Sequence, residues 1–205
     1  MENQAIHILE HRDDTASRLG MWVFIFTEML LFGGLFIVYA VYRSMYHQQF
    51  HEGALELNTI FGAVNTVVLL ISSMTVAMSL TAMKLNDIKL SKRLLLLTVG
   101  LGILFLVNKY FEWGIKFHHG LYPNSPVLLS LEKGHILYFG LYFCMTGLHA
   151  LHIIVGLVLL SVVFMRVRSG KIKSDDCVLL ENGALYWHLV DLIWIFLFPL
   201  LYLIT

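Results

Sequence analysis

Residues Arg18 to Arg43, RLGMWVFIFTEMLLFGGLFIVYAVYR, decide the fold class. Between the two arginines lie 24 residues, and Glu28 is the only acid or base among them. At about 1.5 Å per residue such a helix crosses a hydrocarbon core of roughly 30 Å. Glu28 stands nine residues in from Leu19, roughly 13 to 14 Å, close to the midplane. An acidic side chain at that depth costs about 2.5 to 3.5 kcal/mol on insertion scales. It is therefore expected to face protein, lipid headgroups drawn inward, or trapped water. Two readings stay open: a protonated carboxyl hydrogen-bonded to a neighbouring helix, and a direct functional role.

The rest of the composition agrees with a membrane protein. Of 205 residues, 58 % are hydrophobic and 14 % charged, against about a quarter charged in soluble domains, and the mean hydropathy is +0.75. Net charge is zero and the pI near 7.2, so the basic footprint of a nucleic-acid partner is missing. Cys144 lies in an apolar run and Cys177 in a polar loop, which argues against a disulfide framework. The first 18 residues are polar and mixed in sign. The apolar run behind them is too long for a signal-peptide core, so the first span is expected to stay as an uncleaved anchor.

Five apolar runs predict an all-α bundle of five transmembrane helices in a single domain over residues 1–205, at about 19–42, 59–83, 94–113, 136–165 and 185–204. The polar tail Met1–Ser17 precedes them, and the links are Ser44–Asn58, the basic Lys84–Arg93, a third that holds Pro123 and Pro126, and a basic fourth. The fourth span is long enough to tilt or project. Ten Lys and Arg fall on the side of the N-terminal tail, the second link and the fourth link, against four on the other side. The positive-inside rule then places the N-terminus inside and the C-terminus outside.

Polar residues within the runs are the candidates for function. The second run carries Asn65, Thr66, Ser72, Ser73, Thr75 and Ser79, residues that let helices approach and hydrogen-bond. Lys109 and Glu112 in the third are three apart on one face and, with the run ending at Trp113, read as an anchoring ion pair at the membrane boundary. His149 and His152 stand three apart on one face in mid-span. His188 and Asp191 share a face near the inner boundary of the last run. Two imidazoles from different helices invite a haem, but His152 is about 20 Å from the inner end of its helix and His188 about 5 Å from that of the next. A metal would need a third and fourth ligand at one level. Satisfied core histidines are the stronger expectation, with no metal site in this chain.

Five stretches in order carry a resemblance that runs nearly the whole chain from Arg18: RLGMWVFIFTEMLLFGGLF with Glu28, NTVVLLISSMT from Asn65, NKYFEW with Glu112, FCMTGLHALHIIVG with His149 and His152, and ENGALYWHLVDLIWIFLF with Glu181, Trp187, His188, Asp191 and Trp194. The chain resembles subunit III of the haem-copper terminal oxidases, in the five-helix form of quinol oxidases and some bacterial cytochrome c oxidases. The resemblance implies a helical subunit without redox centres. It would pack against the catalytic subunit I, which holds the haem and copper, and against further oxidase subunits in an energy-conserving membrane, the bacterial plasma membrane. It also implies that Glu28 is the carboxyl modified by carbodiimides, that the cleft it faces holds phospholipids, and that the subunit sustains proton uptake and protects subunit I during turnover. By position, Arg166 resembles an arginine that meets a lipid headgroup. Asn108 stands where many members have Gln. Either cytochrome c or quinol fits as electron donor.

Three alternatives stay open on the sequence. One is an accessory form of the same family associated with nitric oxide reductases. Another is a proton-conducting carrier that uses Glu28, His149 and His152 as relay groups. The third is a haem-binding membrane protein, which a visible spectrum would reveal.

Overall fold

The computed structural model describes residues 14–172, 174 and 176–203. Most of the N-terminal tail, including His7, Glu10, His11, Arg12 and Asp13, lies outside the described residues, as do Lys173 of the fourth link and the predicted helix end at Ile204. Among the described residues there are seven helices, in chain order α1 (Asp14–Met45), α2 (His47–Leu55), α3 (Thr59–Lys84), α4 (Ile88–His118), α5 (Pro126–Leu129), α6 (Lys133–Arg168) and α7 (Val178–Tyr202). Five of them, α1, α3, α4, α6 and α7, are long and apolar enough to cross a membrane.

Every predicted span is present, and most are longer than the apolar run that announced them. The basic link between the second and third spans shrinks to three residues. Asn86 takes a positive φ of 62° and the amide of Asp87 donates to the Ala82 carbonyl, closing α3 with the left-handed residue that asparagine tolerates. Asp87 Oδ1 then accepts from the Leu90 amide at 3.0 Å and starts α4. Lys89, Lys92 and Arg93 therefore ride on the first turns of α4. Likewise Arg166 and Arg168 end α6, which has 36 residues and at about 54 Å exceeds a bilayer with its headgroups. Within the predicted link Ser44–Asn58 lies α2. Its apolar side chains Phe50 and Ala54, with Leu57 just beyond, are buried at helical spacing, a signal diluted by His51, Glu52 and Glu56 between them.

Four spans form a square. Helix α3 packs on α4, α4 on α6, α6 on α7 and α7 on α3, while α1 docks outside on α6 and α7. Of the most apolar stretch of α7, 56 % is buried, against 6 % for α1. Helix α7 is thus the core element and α1 the most lipid-facing one. Hydroxyls and amides stitch the square together as expected for close helix packing in lipid. Thr75 Oγ1 and Thr98 Oγ1 are 2.8 Å apart, Ser79 and Ser91 hydroxyls 3.0 Å, and Asn108 Nδ2 donates to Asn65 Oδ1 at 2.9 Å. From α7, Trp187 Nε1 donates to Ser72 Oγ and Trp194 Nε1 to Thr66 Oγ1, both at 3.0 Å. Glycine makes room for the first of these rings: a Cβ at Gly102 or Gly156 would come within 2.7 and 2.9 Å of Trp187.

The ends of α1 are held by different chemistry. Near its start, Glu181 at the foot of α7 bridges Arg18 at 2.9 Å and Lys84 of α3 at 2.8 Å, and Asn182 Nδ2 donates to Ser17 Oγ at 3.0 Å. Glu181, expected among the buried polar groups, is half-buried at this end of the bundle. Near the end of α1, Tyr39 Oη donates to the Leu200 carbonyl at 2.7 Å, and Tyr138 Oη of α6 donates to that of Leu201 at 2.9 Å. Partly exposed ion pairs contribute roughly 0.2 to 1 kcal/mol each. Glu181→Gln is therefore expected to leave the bundle folded and speed amide exchange in residues 14–20 about fivefold; unchanged protection there would show that the clamp is not what holds α1.

Candidate functional site

The midplane carboxyl has its partner on the neighbouring helix α6. Glu28 Oε2 lies 3.0 Å from His152 Nε2, with 16 % and 12 % of the two side chains exposed. The other ring nitrogen fixes the proton count. His152 Nδ1 lies 2.8 Å from the Leu148 carbonyl, which can only accept, so Nδ1 carries a proton. One proton remains for the contact to Glu28. Held on the carboxyl or on Nε2, it leaves the pair with zero net charge, which is how an ionisable group is tolerated at this depth. Phe32 stands edge-on to the imidazole at 5.4 Å, and Tyr186 Oη donates to the His152 carbonyl at 3.1 Å.

His149, expected on the same face as His152, points elsewhere. Three residues advance a helix by about 300°, and that offset is enough to turn His149 into the square. It is 0 % exposed, lies between Phe105 at 5.6 Å and Trp194 at 5.2 Å, and neither ring nitrogen has a hydrogen-bond partner among the described residues. The expectation of a satisfied core histidine fails here. Glu28, His149 and His152 do not form one relay: aromatic rings stand around His149, while His152 faces α1.

Two further expectations change because helices are longer than the apolar runs. Helix α7 begins at Val178, so His188 lies ten residues in, about 15 Å along the axis, rather than at the boundary. Its Nδ1 is 2.6 Å from Ser73 Oγ of α3, and the buried Asp191 stands against the same hydroxyl. His152 and His188 are thus committed to different helices and different partners. Among the described residues no three His, Cys, Asp or Glu side chains gather as metal ligands.

Helix α4 runs on to His118, so Lys109 and Glu112 are not at a membrane boundary. Each is 2 % exposed, inside the protein, and the anchoring role expected of them does not hold. Lys109 Nζ donates to Glu112 Oε2 at 3.1 Å and to Tyr202 Oη at 2.6 Å. Tyr142 Oη donates to Glu112 Oε1 at 2.6 Å, and Tyr202 Oη donates to the same oxygen. The ammonium also lies 4.9 to 5.3 Å from the ring centres of Trp194, Tyr202 and Tyr142, within cation–π range. Three helices thus close around one buried ion pair. Its tyrosines were not singled out in the sequence; the only trace of them is a hydroxyl-bearing ring in an apolar run, which needs a partner when buried.

Arg166 is exposed on the last turn of α6, 14 residues beyond His152 and so about 21 Å from the Glu28 pair. Neither cysteine is in a disulfide. Burial pushes the Cys177 thiol up, and the Glu181 carboxylate adds to the effect, which makes it a poor nucleophile.

A family model described as cytochrome c oxidase subunit III matches residues 7–205. A cytochrome c oxidase subunit 3 of Thermostichus vulcanus is 32 % identical over 200 residues, covering 97 % of this chain and 92 % of that protein. A probable quinol oxidase subunit 3 of Staphylococcus saprophyticus is 30 % identical, covering 92 % and 89 %. A haem-copper oxidase subunit I+III of Aeropyrum pernix is 29 % identical, covering 91 % of this chain and 22 % of that longer protein.

Proposed function

Because this chain belongs to the cytochrome c oxidase subunit III family, and so is subunit III of a haem-copper oxidase complex in the plasma membrane, we propose that it carries no redox centre and serves the subunit that does. In this reading the haem and copper belong to the catalytic subunit I. The chain packs against that subunit, supports proton uptake, and preserves it during turnover. The Aeropyrum pernix relative, whose name joins subunits I and III, supports direct packing on subunit I. The placement of His149, His152 and His188 against different partners supports the lack of a haem or metal site here, since among the described residues no three His, Cys, Asp or Glu side chains gather as ligands.

The observation that carries the reading is the Glu28–His152 pair: a carboxyl kept at mid-depth, on the least buried helix, with one proton to share. Glu28 is the carbodiimide-type carboxyl in this account, and it and Arg166 meet phospholipid at different depths. Glu28→Gln keeps a hydrogen-bonding group against His152 and is expected to leave assembly intact. The initial rate of oxygen consumption should change by less than about twofold, while loss of activity over successive turnovers accelerates several-fold. Equal loss of initial and sustained rate would defeat the protective role. A haem absorption band in the isolated chain would defeat the lack of a redox centre.

A further inference from the structure

Two outward seams of the square run along α7. Helix α1 lies over one of them, packing on both α6 and α7, and brings Glu28 to His152 at mid-depth. The other runs between α3 and α7, and among the described residues no further helix packs on both of these. It carries a polar knot of its own. His188 Nδ1 of α7 lies 2.6 Å from Ser73 Oγ of α3, and the Asp191 carboxyl stands against the same hydroxyl. Asp191 Oδ1 is buried with no hydrogen-bond partner among the described residues. Ser73 and His188 are half-buried, so the knot reaches the surface of the bundle.

Depth makes that exposure costly. Tyr186, two residues before His188, donates from Oη to the His152 carbonyl at 3.1 Å, which sets His188 at about the level of the Glu28 pair. Ionisable side chains at that level face protein or trapped water rather than hydrocarbon. A proton count says what His188 turns outward when the knot carries zero net charge. If Asp191 is protonated, its proton goes to Ser73 and the Ser73 proton to Nδ1, so the neutral ring carries its hydrogen on Nε2. If Asp191 is ionised, zero net charge calls for an imidazolium, with hydrogen on both nitrogens. Either way Nε2 is a donor, and the only hydrogen bond of this ring among the described residues is the one at Nδ1. The surroundings of the donor are apolar. Leu70 and Ala77, three and four residues from Ser73, and Ile195, seven from His188, are exposed, and these spacings keep them on the same helix faces.

We propose that a membrane-spanning helix of the catalytic subunit lies over the α3–α7 seam, as α1 lies over the α6–α7 seam, and that a hydroxyl, amide or carboxyl oxygen on it accepts from His188 Nε2. The small side chains of Ser73 and Ala77 let such a helix approach closely. This placement rests on the packing against subunit I proposed above and gives that packing a face and a chemistry.

The test places a photo-reactive benzoylphenylalanine at Leu70 or Ile195 on the seam, or at Ile103 or Val107 on the opposite, α4–α6 side of the square, in the assembled oxidase complex in its membrane. Mass spectrometry then identifies what each probe captures. The two seam probes should capture a transmembrane segment of the catalytic subunit. Seam probes that capture only lipid, or a different subunit, overturn the proposal; if the probes at Ile103 and Val107 capture the catalytic subunit in that case, packing on subunit I stands and only the face is wrong. Capture of the catalytic subunit by none of the four defeats that packing as well. A second measurement addresses the hydrogen bond. His188→Phe should speed dissociation of this chain from the detergent-solubilised complex about threefold, the effect of one interhelical hydrogen bond in lipid, while His188→Gln, which keeps an N–H, should stay near the unmodified rate. Equal rates for the two variants overturn the role given to His188.

Discussion

Lys109→Met is expected to destabilise the chain by about 3 to 5 kcal/mol, because it leaves the Glu112 carboxylate buried without its counter-ion. The three rings that surround the ammonium cannot move away to admit water. Tyr142, Tyr202 and Trp194 are themselves buried, on α6 and α7. The cost belongs to the orphaned charge rather than to the worth of the pair, so the double variant Lys109→Met/Glu112→Gln should recover most of the loss. Unfolding of the full chain in detergent, followed by helical circular dichroism, measures both. A single variant that loses under about 1 kcal/mol, or a double variant no better than the single, would mean that the pair is reached by water and is not the closed unit described above.

Trp187→Ala should cost about 3 kcal/mol for a different reason. Its ring is 1 % exposed and fills a slot that exists only because Gly102 and Gly156 lack side chains. In lipid, moving the ring out of the core gains and loses little by transfer, so the penalty is the lost contact and the void. The same slot predicts that Gly102→Leu is damaging from the opposite side, by overpacking against an unchanged Trp187. The two single variants should both lower the unfolding midpoint. Combined, Gly102→Leu/Trp187→Ala should regain part of it, because the leucine enters the void. Strict additivity of the two losses would show that the glycine and the ring do not share one space.

The number and order of spans were legible because each apolar run is long and almost free of charge, and Glu28 was legible because it is the exception. What could not be read was where each helix stops. Lys89, Lys92 and Arg93 look like a link, yet Asp87 caps a helix ahead of them; polar composition marks the water boundary, while hydrogen-bonded caps mark the helix end. That one confusion misplaced His188 and put Lys109 and Glu112 at a surface. Side-chain direction was the other limit. His149 and His152 are a helical i, i+3 pair, and nothing local says that one faces a bundle core and the other a fifth helix docked outside it. Tyr142 and Tyr202 are 60 residues apart in sequence, so their meeting on Glu112 is purely a product of how α4, α6 and α7 pack.

The span between Glu28 and His152 has a consequence for biosynthesis. Helix α1 leaves the ribosome first, and its imidazole partner follows 124 residues later, a wait of roughly 6 to 25 s at about 5 to 20 residues per second. During that interval the imidazole that faces Glu28 in the finished bundle has not yet been made. Until α6 arrives, Glu28 depends on water or lipid headgroups for a partner, so α1 takes its final seat only after α6 has been inserted.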